Sequence, residues 1–175
     1  MSKKLAEKKW AELSPCGKYR YVLGRDWAGG SQERKRVLFV MLNPSTADHN
    51  LDDQTVRKCR GFAMEWRMNG FEAVNLFALR STDKTELVRA LYPVEHQAKA
   101  NMRALQKRLS DGRIKIVCVA WGDEGWAGIV SRRAAMYREI IGRRAVCLRV
   151  LSDGISPMHP LMAAYGPFVN YRSPL

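Results

Sequence analysis

The run Val37-Leu38-Phe39-Val40-Met41-Leu42 constrains this chain more than any other stretch. Six apolar residues in a row do not alternate, so they do not fit a strand with one wet face. They fit a strand buried on both faces, as in a parallel sheet covered by helices on each side. Asn43-Pro44 ends the run, and the chain turns small and polar through Ser45, Thr46, Asp48, Asn50, Asp52 and Asp53. Open α/β sheets hold their ligands outside the carboxyl ends of the strands. This polar stretch is therefore the first candidate site.

The rest of the chain alternates in the same manner. Tyr19–Leu23 reads as an early strand, and Asp26–Arg36 as a basic loop. Val56, Cys59, Phe62, Ala63 and Trp66 share one helical face, which predicts a helix from about Asp53 to Asn69. Asp52 or Asp53 can cap its start, and Gly70 suits the left-handed position at its end. Phe71–Leu79, Ile114–Ala120 and Ala145–Val150 read as further strands. Thr85–Tyr92, Val94–Leu109 and Ser131–Ile141 read as helices. Strands alternating with helices predict an α/β three-layer sandwich around a central, mostly parallel four-stranded sheet, with an N-terminal strand or hairpin added. Residues 1–18 are expected to be a basic, mobile segment, and 19–175 a single domain.

Charge narrows the partner. Thirty Lys and Arg against seventeen Asp and Glu leave +13, with a pI near 10.0. A bias of this size in a small domain favours a polyanion, through phosphate neutralisation and counterion release. Arg132, Arg133, Arg138, Arg143 and Arg144 cluster along one helical region and its end, and Lys3, Lys4, Lys8 and Lys9 add a basic arm. The expected partner is nucleic acid, DNA foremost. Apolar runs are too short for a membrane span. Cys16, Cys59, Cys118 and Cys147 show no C-x-x-C spacing, so no zinc site is expected and free thiols in a reducing cytoplasm fit best. No second acidic cluster backs Asp48, Asp52 and Asp53, so neither metal nor cofactor is expected. A monomer is the expected state.

Three segments follow or interrupt strands: Leu42-Asn43-Pro44, Asn75, and Met158-His159-Pro160-Leu161. Their order resembles the uracil-DNA glycosylase superfamily, with its Asn-Pro or Asp-Pro first motif, a base-reading Asn and a His-Pro motif near the C-terminus. More closely, Met41-Leu42-Asn43-Pro44-Ser45-Thr46-Ala47-Asp48, Asn75-Leu76-Phe77, Trp121-Gly122 and His159-Pro160-Leu161 resemble an uncharacterised family of bacterial and phage proteins over roughly Tyr19–Leu161. Met41 replaces the glycine that opens the glycosylase first motif, and Leu161 replaces the Ser after His-Pro. Both departures point away from plain uracil as the only substrate.

The resemblance implies roles for particular residues. Breaking an N-glycosidic bond needs a held water near the sugar and donors on the departing base. Asn43 would orient the water, Asp48 is the candidate carboxylate, and His159 would stabilise the leaving base. Asn75 would read the base edge, with Pro44, Ser45 and Trp121 around it. Arg80 and the arginine cluster would contact phosphate. Leu161 and Met162 would fill the gap left by a flipped nucleotide. The expected function is a DNA glycosylase acting on a flipped or modified base, with modified phage DNA as the setting. The alternatives are a transferase or other base-modifying enzyme on the same fold, and a non-catalytic nucleic-acid-binding module.

Overall fold

The computed structural model describes residues 7–29, 33–45, 47–48, 50–83, 85–89 and 91–171, with backbone alone for residues 88 and 91–96. Lys3, Lys4 and Thr46 lie outside the described residues. The strands are β1 (Lys8–Leu13), β2 (Arg20–Asp26), β3 (Arg36–Met41), β4 (Gly70–Asn75), β5 (Ile114–Val119), β6 (Ala145–Cys147) and β7 (Val169–Asn170). The helices are α1 (Gln54–Glu65), α2 (Thr85–Arg89), α3 (Leu91–Leu109) and α4 (Gly128–Ile141).

The fold is α/β, and its sheet corrects the expectation of four strands. Seven strands form one mixed sheet in the order β1-β2-β4-β3-β5-β6-β7. The middle set, β4-β3-β5-β6, is parallel, while β2 runs antiparallel to β4 and β7 antiparallel to β6. β1 had no apolar run to announce it. Its Lys8 and Lys9 are exposed at the sheet edge, where charge is tolerated because it discourages strand addition. That strand also replaces part of the segment expected to be mobile.

Strand alternation sorts the core into two faces. Val37, Phe39, Met41, Phe71 and Ala73 pack against Val56, Cys59, Phe62 and Ala63 of α1. Leu38, Val40, Val74, Val117 and Val119 pack against Leu105 of α3 and Val130, Ala134, Tyr137 and Ile141 of α4. Burying Phe39, Phe62 and Phe71 contributes about 1.5–3 kcal/mol each.

Helix α1 begins where the sequence predicts and ends sooner. Asp53 is its N-cap, accepting from the Val56 N–H at 2.8 Å. Its end is a Schellman turn in which Arg67 takes the left-handed position at φ 55°. The Arg67 N–H donates to the Met64 carbonyl at 3.0 Å and that of Met68 to Ala63 at 2.8 Å. Gly70, expected in that role, instead starts β4. A Cβ there would lie 2.9 Å from the Arg25 carbonyl oxygen, so the close packing of β2 on β4 requires the glycine.

At the amino end of the parallel strands lies a buried ion network. Arg36 bonds Asp26 and, at 2.9 Å, Glu72. Glu72 also accepts from Arg108 Nε at 2.9 Å, and Arg108 reaches Glu12. Trp10 covers Arg36, its ring centre 4.9 Å from the guanidinium carbon. Among the described residues no helix is long and apolar enough to cross a membrane.

Candidate functional site

β3 leads through residues 42–53 into α1, which covers one face, whereas α3 crosses between β4 and β5 on the other. Connections leaving neighbouring strands β3 and β5 thus run to opposite sides, the arrangement that opens a crevice at the carboxyl ends. A narrow cavity of about 40 Å³ sits there on the α1 face. Leu23, Met41, Phe71 and Ala73 form its apolar floor, and Arg20, Asn43, Ser45, Asp53, Thr55 and His159 its polar walls. That volume holds roughly three waters.

The first motif contributes Asn43 and Ser45. Asn43 Nδ2 donates to the Ser81 carbonyl at 2.8 Å and to that of Pro44 at 3.3 Å, which ties the end of β3 to the turn after β4. Pro44 is buried, and its carbonyl accepts from the Ser81 N–H at 2.9 Å. The Ser45 hydroxyl donates to the Asp53 carboxylate. Asp48 builds the loop: its Oδ1 accepts from the N–H groups of Asn50 and Leu51 at 2.7 and 3.1 Å. Asp53, read from sequence as a cap and as a competitor to Asp48, is the carboxylate that lines the cavity.

Asn75 ends β4, opposite Met41 in register. Alternation puts it on the face of Phe71 and Ala73, which line the cavity, whereas Asn75 itself is not among the lining residues. It is 1% exposed, and neither its Nδ2 nor its Oδ1 has a hydrogen-bond partner among the described residues. Its backbone carbonyl is well held, by Asn101 Nδ2 at 2.8 Å and the Tyr137 hydroxyl at 3.2 Å. Leaving a buried amide unpaired is costly, so an orphan carboxamide in register with Met41, a residue of the cavity floor, calls for a partner.

His159 precedes the short 3-10 turn Pro160–Met162. Its Nδ1 accepts from the Leu161 N–H at 3.3 Å, so in the neutral ring the proton sits on Nε2, a donor. Burial holds the imidazole below its usual range, and the Asp53 charge pulls the other way. The sign follows directly. An unfolded histidine gains a proton near pH 6.5 while the native one resists it, so native stability falls as pH drops through and below that value and levels off above it. Urea melts at pH 7.5 and 5.5 should show this loss in the wild type and a smaller one in His159→Gln. Equal losses would remove His159 as the titrating group.

The segment carrying His159 is fastened to α1. Lys58 Nζ donates to the Ala163 carbonyl at 2.7 Å and Trp66 Nε1 to Gly166 at 2.8 Å. The Tyr165 ring meets Phe62 at 4.9 Å between centres, and Phe168 meets Trp66 at 5.2 Å. Leu161 and Met162 form an exposed apolar tip, Met162 being 77% exposed.

Other expected site residues lie elsewhere. Trp121 is buried on the α3–α4 face and donates Nε1–H to Glu124 at 2.9 Å. The arginine cluster divides. Arg133 is buried with its guanidinium over Phe77, and Arg138 pairs with Glu124 at 2.6 Å. Arg144 donates to the Leu109 carbonyl at 2.7 Å. Arg132 and Arg143 are exposed. The face of α4 is opposite that of the cavity. Arg80 is half-buried after β4, its Nη1 donating to the Gly17 carbonyl at 3.3 Å.

Sequence reasoning missed Arg20 and Arg25. Arg25 is fully buried and holds the 48–52 loop through Asp52 at 2.6 Å and the Asp48 carbonyl at 2.7 Å. Arg20 is 3% exposed in the cavity wall and donates to the Ala47 carbonyl at 2.5 Å. Burial brings its guanidinium down to about 10, against the pull of Asp53. Among the described residues, no group of three His, Cys, Asp or Glu side chains is placed to hold a metal.

Comparison with curated proteins and with solved structures gave no match. A family model does match, across residues 20–161, from the start of β2 through the His159 turn and so over every wall of the cavity. The chain belongs to DUF1643, a family of proteins of unknown function.

Proposed function

We propose that this protein is a DNA-acting enzyme that binds a flipped or modified nucleobase beside β4 and hydrolyses its N-glycosidic bond. The observation that carries this reading is the Asn75 carboxamide, buried with both its donor and its acceptor unmatched. A base edge offers that complementary pair. Asp53 is the carboxylate suited to hold a water, and His159 Nε2–H is the donor suited to the departing base. The cavity takes roughly three waters, so a base fits only if the cavity widens. The exposed Leu161–Met162 tip is suited to fill the stack behind a flipped nucleotide. The +13 charge supports a polyanionic substrate.

A second reading, base modification or nucleotide binding without excision, draws on Asn43. Both donor contacts of its amide go to backbone carbonyls, so it is already occupied in building the loop.

An excision assay separates the two. The protein is incubated with hydroxymethylated, glucosylated, uracil-containing and ordinary DNA, and free base and alkali-labile sites are measured. Release from one substrate, reduced at least about 100-fold in His159→Ala and Asn75→Ala, is the expected result. DNA binding without release from any substrate would overturn glycosylase action and favour the second reading.

A further inference from the structure

Arg20 differs from three other buried arginines. Arg25, Arg36 and Arg108 each hold a carboxylate directly. Arg20 is as deeply buried, yet among the described residues its only side-chain hydrogen bond goes to a backbone carbonyl and its Nε has no partner. Asp53 acts on it through space, with no hydrogen bond between the two among the described residues; that carboxylate accepts from the Ser45 hydroxyl and the Val56 N–H. A buried cation without a direct counter-ion is costly to keep. It sits in the wall of a cavity that His159, a donor through Nε2–H, and the Thr55 hydroxyl also line.

We infer that this cavity is an oxyanion subsite, in which a phosphate or carboxylate group of the ligand accepts from Arg20 and His159. The size fits: room for roughly three waters suits the head of an oxyanion and not a ring system. The mixed chemistry fits as well. Asp53, which also lines the cavity, can accept a hydrogen bond, so a hydrogen phosphate can accept from Arg20 and donate to Asp53 at once. The inference rests on the cavity and not on base excision; where excision also holds, the excised base is one bearing an acidic group.

The test is calorimetric titration of the whole protein with inorganic phosphate and, separately, acetate, with sodium chloride holding ionic strength constant. Saturable binding of one oxyanion per chain is expected, weakened at least about tenfold in Arg20→Gln and unchanged in Arg103→Gln, whose arginine is exposed on α3. Which probe binds names the group as phosphate or carboxylate. If Arg20→Gln fails to fold, arginine Nε–H resonances of the unsubstituted protein give the answer: one solvent-protected signal should move on phosphate addition. Absence of saturable binding by either probe, or equal weakening in both variants, would overturn the inference. Phosphate binding with no base release leaves the subsite standing and removes excision. Base release without anion binding does the reverse.

Discussion

Replacing Glu72 with alanine should lower folding stability by about 3–5 kcal/mol, read as a shift of the urea midpoint. Glu72 is 3% exposed and bridges two guanidinium groups, Arg36 and Arg108, each at 2.9 Å. Removing it leaves two cations facing each other in the core. Asp26 still serves Arg36 and Glu12 still serves Arg108, but Arg108 Nη1 already lacks a partner. The network therefore has no spare acceptor to give. Glu72→Gln keeps an acceptor and should cost less than the alanine. A loss below about 1 kcal/mol in Glu72→Ala, the range of an exposed pair, would mean that water replaces the carboxylate.

Asn75→Leu should act in the opposite sense. Leucine has nearly the same shape as asparagine and carries no polar atom. The substitution removes an unmatched donor and an unmatched acceptor from a site 1% exposed. A gain of about 1–3 kcal/mol is expected, each kcal/mol raising Tm by about 2–4 °C for a chain of this size. Base release should disappear in the same variant. A stabilising change that abolishes activity identifies a residue kept for binding and not for folding. If Asn75→Leu instead destabilises the protein, the carboxamide has a partner in solution and ceases to support nucleobase recognition.

How much of this was legible beforehand depended on where the deciding partner lies. Val37–Leu42 announced β3 because a doubly buried strand has to be apolar at every position. The α1 stripe and the Asp53 cap were legible because their partners are a few residues away. β1 was hidden, since Lys8, Lys9 and Glu12 on an edge strand look like a solvated tail. Arg67 at the end of α1 was hidden too, because the left-handed position was assigned to the nearest glycine. Asp48, Asp52 and Asp53 could not be sorted by spacing. Arg25 takes Asp52, the loop backbone takes Asp48, and Asp53 alone reaches the cavity. Density of arginine along the chain likewise says nothing of its orientation: Arg133 and Arg138 turn into the protein, whereas Arg132 and Arg143 turn out.

The seam between α1 and the His159 segment has a mechanical consequence. Asp53 opens the helix, and the same helix carries Lys58, Phe62 and Trp66, which clasp the segment over a hundred residues downstream. The two walls of the cavity are therefore parts of one clamp, closed by two hydrogen bonds and by rings that meet edge to face. That clasp sets where His159 stands relative to Asp53, so a change at Lys58 or Trp66 acts on the cavity wall without entering the cavity.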